Sequence, residues 1–121
     1  MKKHFLGIRT VIYPAKELQE VKSWYVQALG MQPYFDEPFY VGFNVGGFEL
    51  GLDPDAPKGS GGGTQAYWGV ANIEAAMEHL LSLGATAENN IQEVGEGVKV
   101  ATLLDPFGNQ LGIIENPHFS L

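Results

Sequence analysis

The two halves of this chain carry nearly the same message. Gly84 closes one helical stretch, and apolar runs at 98–104 and 110–115 follow it, joined by Asp105-Pro106-Phe107-Gly108. In the first half Leu29-Gly30 closes a helical stretch. Apolar runs at 39–45 and 48–52 follow, joined by Gly46-Gly47. A supersecondary unit written twice in 121 residues is an architecture, and it limits the fold more than any composition does.

Each copy reads β-α-β-β-β, an α+β pattern. The first has a strand over 5–13, a helix over 16–29, and strands over 31–36, 39–45 and 48–53. Leu18, Val21, Tyr25, Ala28 and Leu29 share one helical face, and Gly30 sits just past the helix end. The second copy has strands over 64–70, 86–94, 98–104 and 110–115, with a helix near 73–83 capped by Asn72. Asp105-Pro106-Phe107-Gly108 has the residues of a type I turn. Residues 54–63 hold four Gly and two Pro without hydrophobic periodicity, so they read as a linker. Residues 1–53 and 64–121 are then two modules of one domain. A helix covers one sheet face of each module and leaves the other bare. Pairing the modules predicts an eight-stranded incomplete barrel, with helices outside and a chamber within.

Composition removes several function classes. Fourteen acidic residues against seven Lys and Arg give a net charge of −7, which disfavours nucleic acid and anionic membrane surfaces. The absence of cysteine excludes disulfides, thiolate nucleophiles and Cys-held metals. No apolar run approaches the roughly 20 residues of a membrane span. Met1-Lys2-Lys3 leads into His4 and Arg9 rather than a long apolar stretch, so a cytoplasmic protein is expected.

The paired β-α-β-β-β units and the run DPFGNQLGIIE resemble the vicinal-oxygen-chelate superfamily, which includes glyoxalase I, bleomycin-resistance proteins, fosfomycin-resistance enzymes and extradiol dioxygenases. RTVIYPAKEL with WYVQALGM resembles the usual opening of its first module, and YWGVANIEAAMEHLLSLGA that of the second. The resemblance implies a homodimer, some members exchanging modules between chains. It also implies inward strand positions that hold a divalent metal in the enzymes: His or Gln on the first strand, Glu on the fourth, His on the fifth and Glu on the eighth. Those positions fall here on Thr10, Glu49, Gln65 and Gly112. Only Glu49 is a strong ligand, where a catalytic zinc usually needs about three. No metal and no other cofactor is therefore expected.

The sequence singles out Thr10, Glu49, Gln65, Tyr67 and His118 as ligand-binding candidates. Glu49 either meets a ligand or pairs with a base, Arg9 or Lys99. Thr10 and Gln65, equivalent across the repeat, either orient a ligand or bridge the central strands. Tyr67 shares the face of Gln65 and reads as a chamber wall, whereas Trp68 reads as core. The faces of Tyr34, Tyr40 and Phe43 stay open because Pro33 and Pro38 disturb the register. Gly51, Gly69 and Gly112 either widen the chamber or bend the strands. His118 is either a surface residue or part of a lid. The expectation is a protein that binds or sequesters a small organic molecule. The alternative is a lyase, isomerase or dioxygenase with a nonstandard metal site on Glu49, Gln65 and His118.

Overall fold

A computed structural model describes His4 and residues 8–56 and 66–118. The chain divides into two compact units, Met1–Lys58 and Gly59–Leu121. The described residues form two mixed sheets and two helices, an α+β fold.

The first unit contains β1 (Thr10–Pro14), α1 (Leu18–Leu29), β2 (Phe35–Glu37), β3 (Tyr40–Val45) and β4 (Phe48–Asp53). Its sheet order is β1-β4-β3-β2. β1 runs parallel to β4, and the remaining pairs are antiparallel. The strand expected over 5–13 is β1 over Thr10–Pro14, so it includes Pro14. This proline is the last residue of that strand and lies beside Asp53. Proline is tolerated there because β1 is an edge strand. α1 ends at Gly30, whose φ of 70° is the left-handed cap that glycine adopts without a Cβ penalty. Its buried residues, Leu18, Val21, Trp24 and Tyr25, lie on one helical stripe, and the helix packs on β3 and β4. Tyr13, Val41, Phe43, Leu50 and Leu52 supply the buried residues of the sheet. Tyr25 stands 5.9 Å from Tyr13 and 4.8 Å from Trp24, centroid to centroid.

The second unit contains β5 (Tyr67–Gly69), α2 (Ile73–Ser82), β6 (Thr86–Ala87), β7 (Gln92–Gly95), β8 (Val98–Leu104) and β9 (Gln110–Glu115). β5 is parallel to β9, β9 pairs antiparallel with β8, and both β6 and β7 pair with β8. The sequence suggests one polar strand over 86–94. Two occur, because the chain leaves the β8 ladder after Ala87 and rejoins it at Gln92. Between them Asn89 bonds to β8 through its side chain. Its Oδ1 accepts from Thr102 N at 3.1 Å, and its Nδ2 donates to Thr102 Oγ1 at 3.0 Å. The described residues therefore form nine strands rather than eight.

α2 has the expected cap, with Asn72 Oδ1 accepting from Ala75 N at 2.9 Å. Glu115 adds a second acceptor for this helix end, taking the N–H of Ile73 at 2.9 Å. The Asp105 turn closes with Gly108 N donating to Asp105 O at 3.1 Å. Its carboxylate also takes Phe107 N at 2.9 Å and Asn109 N at 2.8 Å, so this buried acid organises the β8–β9 connection. No helix of the described residues is long and apolar enough to cross a membrane.

Candidate functional site

Two glycines make the site. The Gly46-Gly47 turn joins Val45 directly to Phe48 in the β3–β4 hairpin, and Asn44 Oδ1 holds it by accepting from Gly47 N at 2.9 Å. Both glycines have positive φ, 63° and 93°, as a two-residue hairpin turn requires. Counting back from that turn, Asn44 faces Glu49 and Gly42 faces Gly51. Alternation sends Val41, Phe43, Leu50 and Leu52 to the helix-covered side. Tyr40, Gly42, Glu49 and Gly51 share the other side. Thr10 joins them as the β1 partner of Glu49, and Ile12 as that of Gly51.

On this face the Glu49 carboxylate is held by two phenols. Tyr40 Oη donates to Oε2 at 2.6 Å, and Tyr34 Oη donates to Oε1. The glycines leave room for these rings. A Cβ on Gly51 would lie 1.8 Å from Tyr40 Oη, and one on Gly42 would lie 3.0 Å from Glu49 Oε1. Hydrogen bonding to the Glu49 carboxylate pushes the Tyr34 hydroxyl above the usual phenol range, because ionising it would place two negative oxygens together. Partial burial pushes Tyr40 up further, with the Glu49 hydrogen bond as the next cause. Around the cluster, Phe35 stands 5.9 Å from Phe39 and 6.1 Å from Tyr40, centroid to centroid. Tyr34 and Phe39 are 63% and 61% exposed, so large aromatic surface faces solvent.

The structure treats the sequence candidates differently. Thr10 and Glu49 are adjacent on one ladder, as their shared face requires. Neither basic residue considered as a partner for Glu49 is recorded in an ion pair with it. Lys99 pairs with Glu74 at 3.0 Å, and Arg9 meets Glu49 only through the backbone, its carbonyl accepting from Glu49 N at 2.8 Å. Gln65 lies outside the described residues. Tyr67 is half-exposed and stands beside Gly112, while Trp68 is partly buried beside Ile113. His118 turns to its own unit. Its Nε2 is 2.8 Å from the carbonyl oxygen of Glu96 in the β7–β8 hairpin, and its N–H donates to Asn116 Oδ1. Phe119 lies outside the described residues. Phe43 is fully buried and is core. Tyr34 and Tyr40, whose faces the sequence leaves open, are the residues that complete the site.

The ladders also set the equivalence across the repeat. Ala15 N donates to Asp53 O and Val70 N to Ile114 O, each at 2.9 Å, so these two ends correspond. Ile12 beside Gly51 then matches Tyr67 beside Gly112. The equivalent of Gly112 is therefore Gly51, two residues beyond Glu49, and the equivalent of Glu49 is Gln110. Gln110 donates to Glu88 Oε1 at 2.8 Å. The two glycine positions carry no side-chain ligand, and Tyr40 occupies the space above one of them. Among the described residues no group of three or more His, Cys, Asp or Glu is placed to hold a metal ion. This donor set does not fit the metal that the resemblance implies for the enzymes.

Comparison with known proteins supports the family resemblance. A model of the Glyoxalase/Bleomycin resistance protein/Dioxygenase superfamily matches residues 7–113. No curated protein matches the chain. A glyoxalase-related enzyme from Fulvimarina pelagi is similar at 18% identity and TM-score 0.75, over 97% of this chain and 93% of that one. Lactoylglutathione lyase from Agrobacterium tumefaciens is similar at 17% identity and TM-score 0.75, over 98% and 100%. A superfamily member from Sphaerobacter thermophilus DSM 20745 is similar at 20% identity and TM-score 0.73, over 93% and 98%. At these identities the likeness is one of fold. With the family match spanning most of its length, this chain belongs to the Glyoxalase/Bleomycin resistance protein/Dioxygenase superfamily.

Proposed function

We propose that this protein binds or sequesters a small organic molecule without a metal, in the manner of the bleomycin-resistance branch, and that the Glu49 face of the first sheet is its binding surface. The observation that carries this reading is the state of the Glu49 carboxylate. It takes a hydrogen bond from each of two tyrosines, and the ring of one fills the space above Gly51. A carboxylate fixed by two phenols is oriented before any ligand arrives, which lowers the ordering cost of binding. Ile12, Phe35 and Phe39 add apolar surface beside it.

The alternative, a metal-dependent lyase, isomerase or dioxygenase, needs ligands that the described residues do not bring together. Elemental analysis of the dialysed protein, paired with a thermal-shift screen of small organic molecules, tests the two readings. Protein without stoichiometric metal that is stabilised by a screened compound supports sequestration. Stoichiometric zinc, nickel, manganese or iron that survives dialysis overturns it.

A further inference from the structure

We propose that the ligand of the Glu49 face is an organic cation bearing N–H donors on an apolar body, an alkyl- or arylammonium ion. This rests on the reading of that face as a binding surface and names its ligand class. The Glu49 carboxylate and its two phenols present acceptors to a ligand, and the other polar side chains on this face, Thr10 and Asn44, are neutral. The Tyr34 and Tyr40 hydroxyl protons both point at Glu49. That leaves the phenol oxygens and the remaining carboxylate lone pairs to face a ligand, and a carboxylate has about four such sites. Tyr34, Phe35 and Phe39 add exposed aromatic surface to this region, and aromatic π faces attract cations. In the same unit, Lys22 is paired with Asp36 at 2.5 Å. An ammonium group fits this chemistry, because its N–H groups reach the free lone pairs while its carbon body lies on Phe35, Phe39 and Ile12. An anion meets the like charge of the Glu49 carboxylate, which the neutral donors of Thr10 and Asn44 do not cancel. The net charge of −7 favours the approach of a cation and opposes that of an anion.

The test is an NMR-observed titration of the full chain with benzylammonium, benzyltrimethylammonium, benzyl alcohol and benzoate. Benzylammonium is expected to bind most tightly and to shift the amides of β3 and β4. Benzyltrimethylammonium keeps the charge and the ring but lacks N–H donors. It is expected to bind about tenfold more weakly, the value of one charge-assisted hydrogen bond. Benzoate is expected not to bind. In E49Q the affinity for benzylammonium is expected to fall by about tenfold or more, that for benzyltrimethylammonium to fall less, and benzyl alcohol and benzoate to change little. The comparison among probes uses the native chain, so it stands even if E49Q folds poorly. Equal binding of benzoate and benzylammonium, or an unchanged affinity in E49Q, overturns the proposal. Benzyl alcohol binding as tightly as benzylammonium, with shifts on β3 and β4, rejects the cation but keeps the face as a binding surface. Absence of shifts with all four probes rejects both.

Discussion

Tyr40 can lie across the sheet only because residue 51 has no side chain. Gly51→Ala is therefore expected to expel the Tyr40 ring and break its bond to Glu49, at a cost of about 1–3 kcal/mol in thermal or denaturant unfolding. An unchanged Tyr40 environment in the variant would contradict the packing. A second consequence concerns pH. Both phenols ionise above the ordinary phenol range, so the folded state favours their neutral forms. Their contribution to stability is complete below pH 10.0 and is lost as pH rises above it. A spectroscopic titration of phenolate absorbance is expected to show two late-ionising tyrosines that move earlier in E49Q; no movement would separate them from the carboxylate. Part of this site was legible in the residues alone. Glu49 stood out as an acid in an apolar strand, and parity placed Gly51 on its face. Tyr40 was reachable by counting pairs outward from the Gly46-Gly47 turn, which sets Gly42 against Gly51 with Tyr40 alongside. Tyr34 was not reachable, because it precedes β2 and comes to Glu49 through the chain path around Pro33 rather than through strand alternation.

At the level of elements, the strong hairpin strands β4, β8 and β9 have the bounds that their apolar alternation dictates, and the helices differ only at their ends. Where propensity is weak, long-range partners decide. β6 and β7 are separate, and between them Thr102 is held by the Glu88 N–H and by the Asn89 side chain, an arrangement that no local pattern announces. The same dependence hid the role of Glu115, which reaches from the last strand to the N-terminus of α2. The turn before β9 is held by several hydrogen bonds, and Asp105 is its centre. Asp105→Ala leaves the N–H groups of Phe107 and Asn109 without their acceptor and is expected to cost about 1–3 kcal/mol in chemical denaturation. Phe43, fully buried on the α1 side of β3, is expected to cost about 3–5 kcal/mol on replacement by alanine, through lost burial and the cavity left behind. A cost near zero at either position would mean that its neighbourhood is not packed as described.

The whole molecule is two copies of one plan whose open faces have diverged. The first carries Glu49, Tyr34 and Tyr40, whereas the second carries Tyr67, Gly112 and Thr102. The repeat was legible because glycine turns and helix ends recur in order. The divergence was less so, because the two positions that the resemblance implies on the fourth and eighth strands, Glu49 and Gly112, lie two residues apart in the repeat and share face parity. Edge strands and the commonness of two-fold symmetry lead us to expect a homodimer. Sedimentation should then give twice the chain mass of 13.2 kDa, and a monomer across micromolar concentrations would contradict it. The central claim, metal-free binding on the Glu49 face, is tested most directly by one measurement. Chelator-treated, isotope-labelled protein is titrated with a small-molecule library, and backbone amide shifts are followed. The account predicts that binding compounds shift β3, β4 and the Tyr34 region without added metal. Binding that appears only after zinc, nickel, manganese or iron is restored would contradict it.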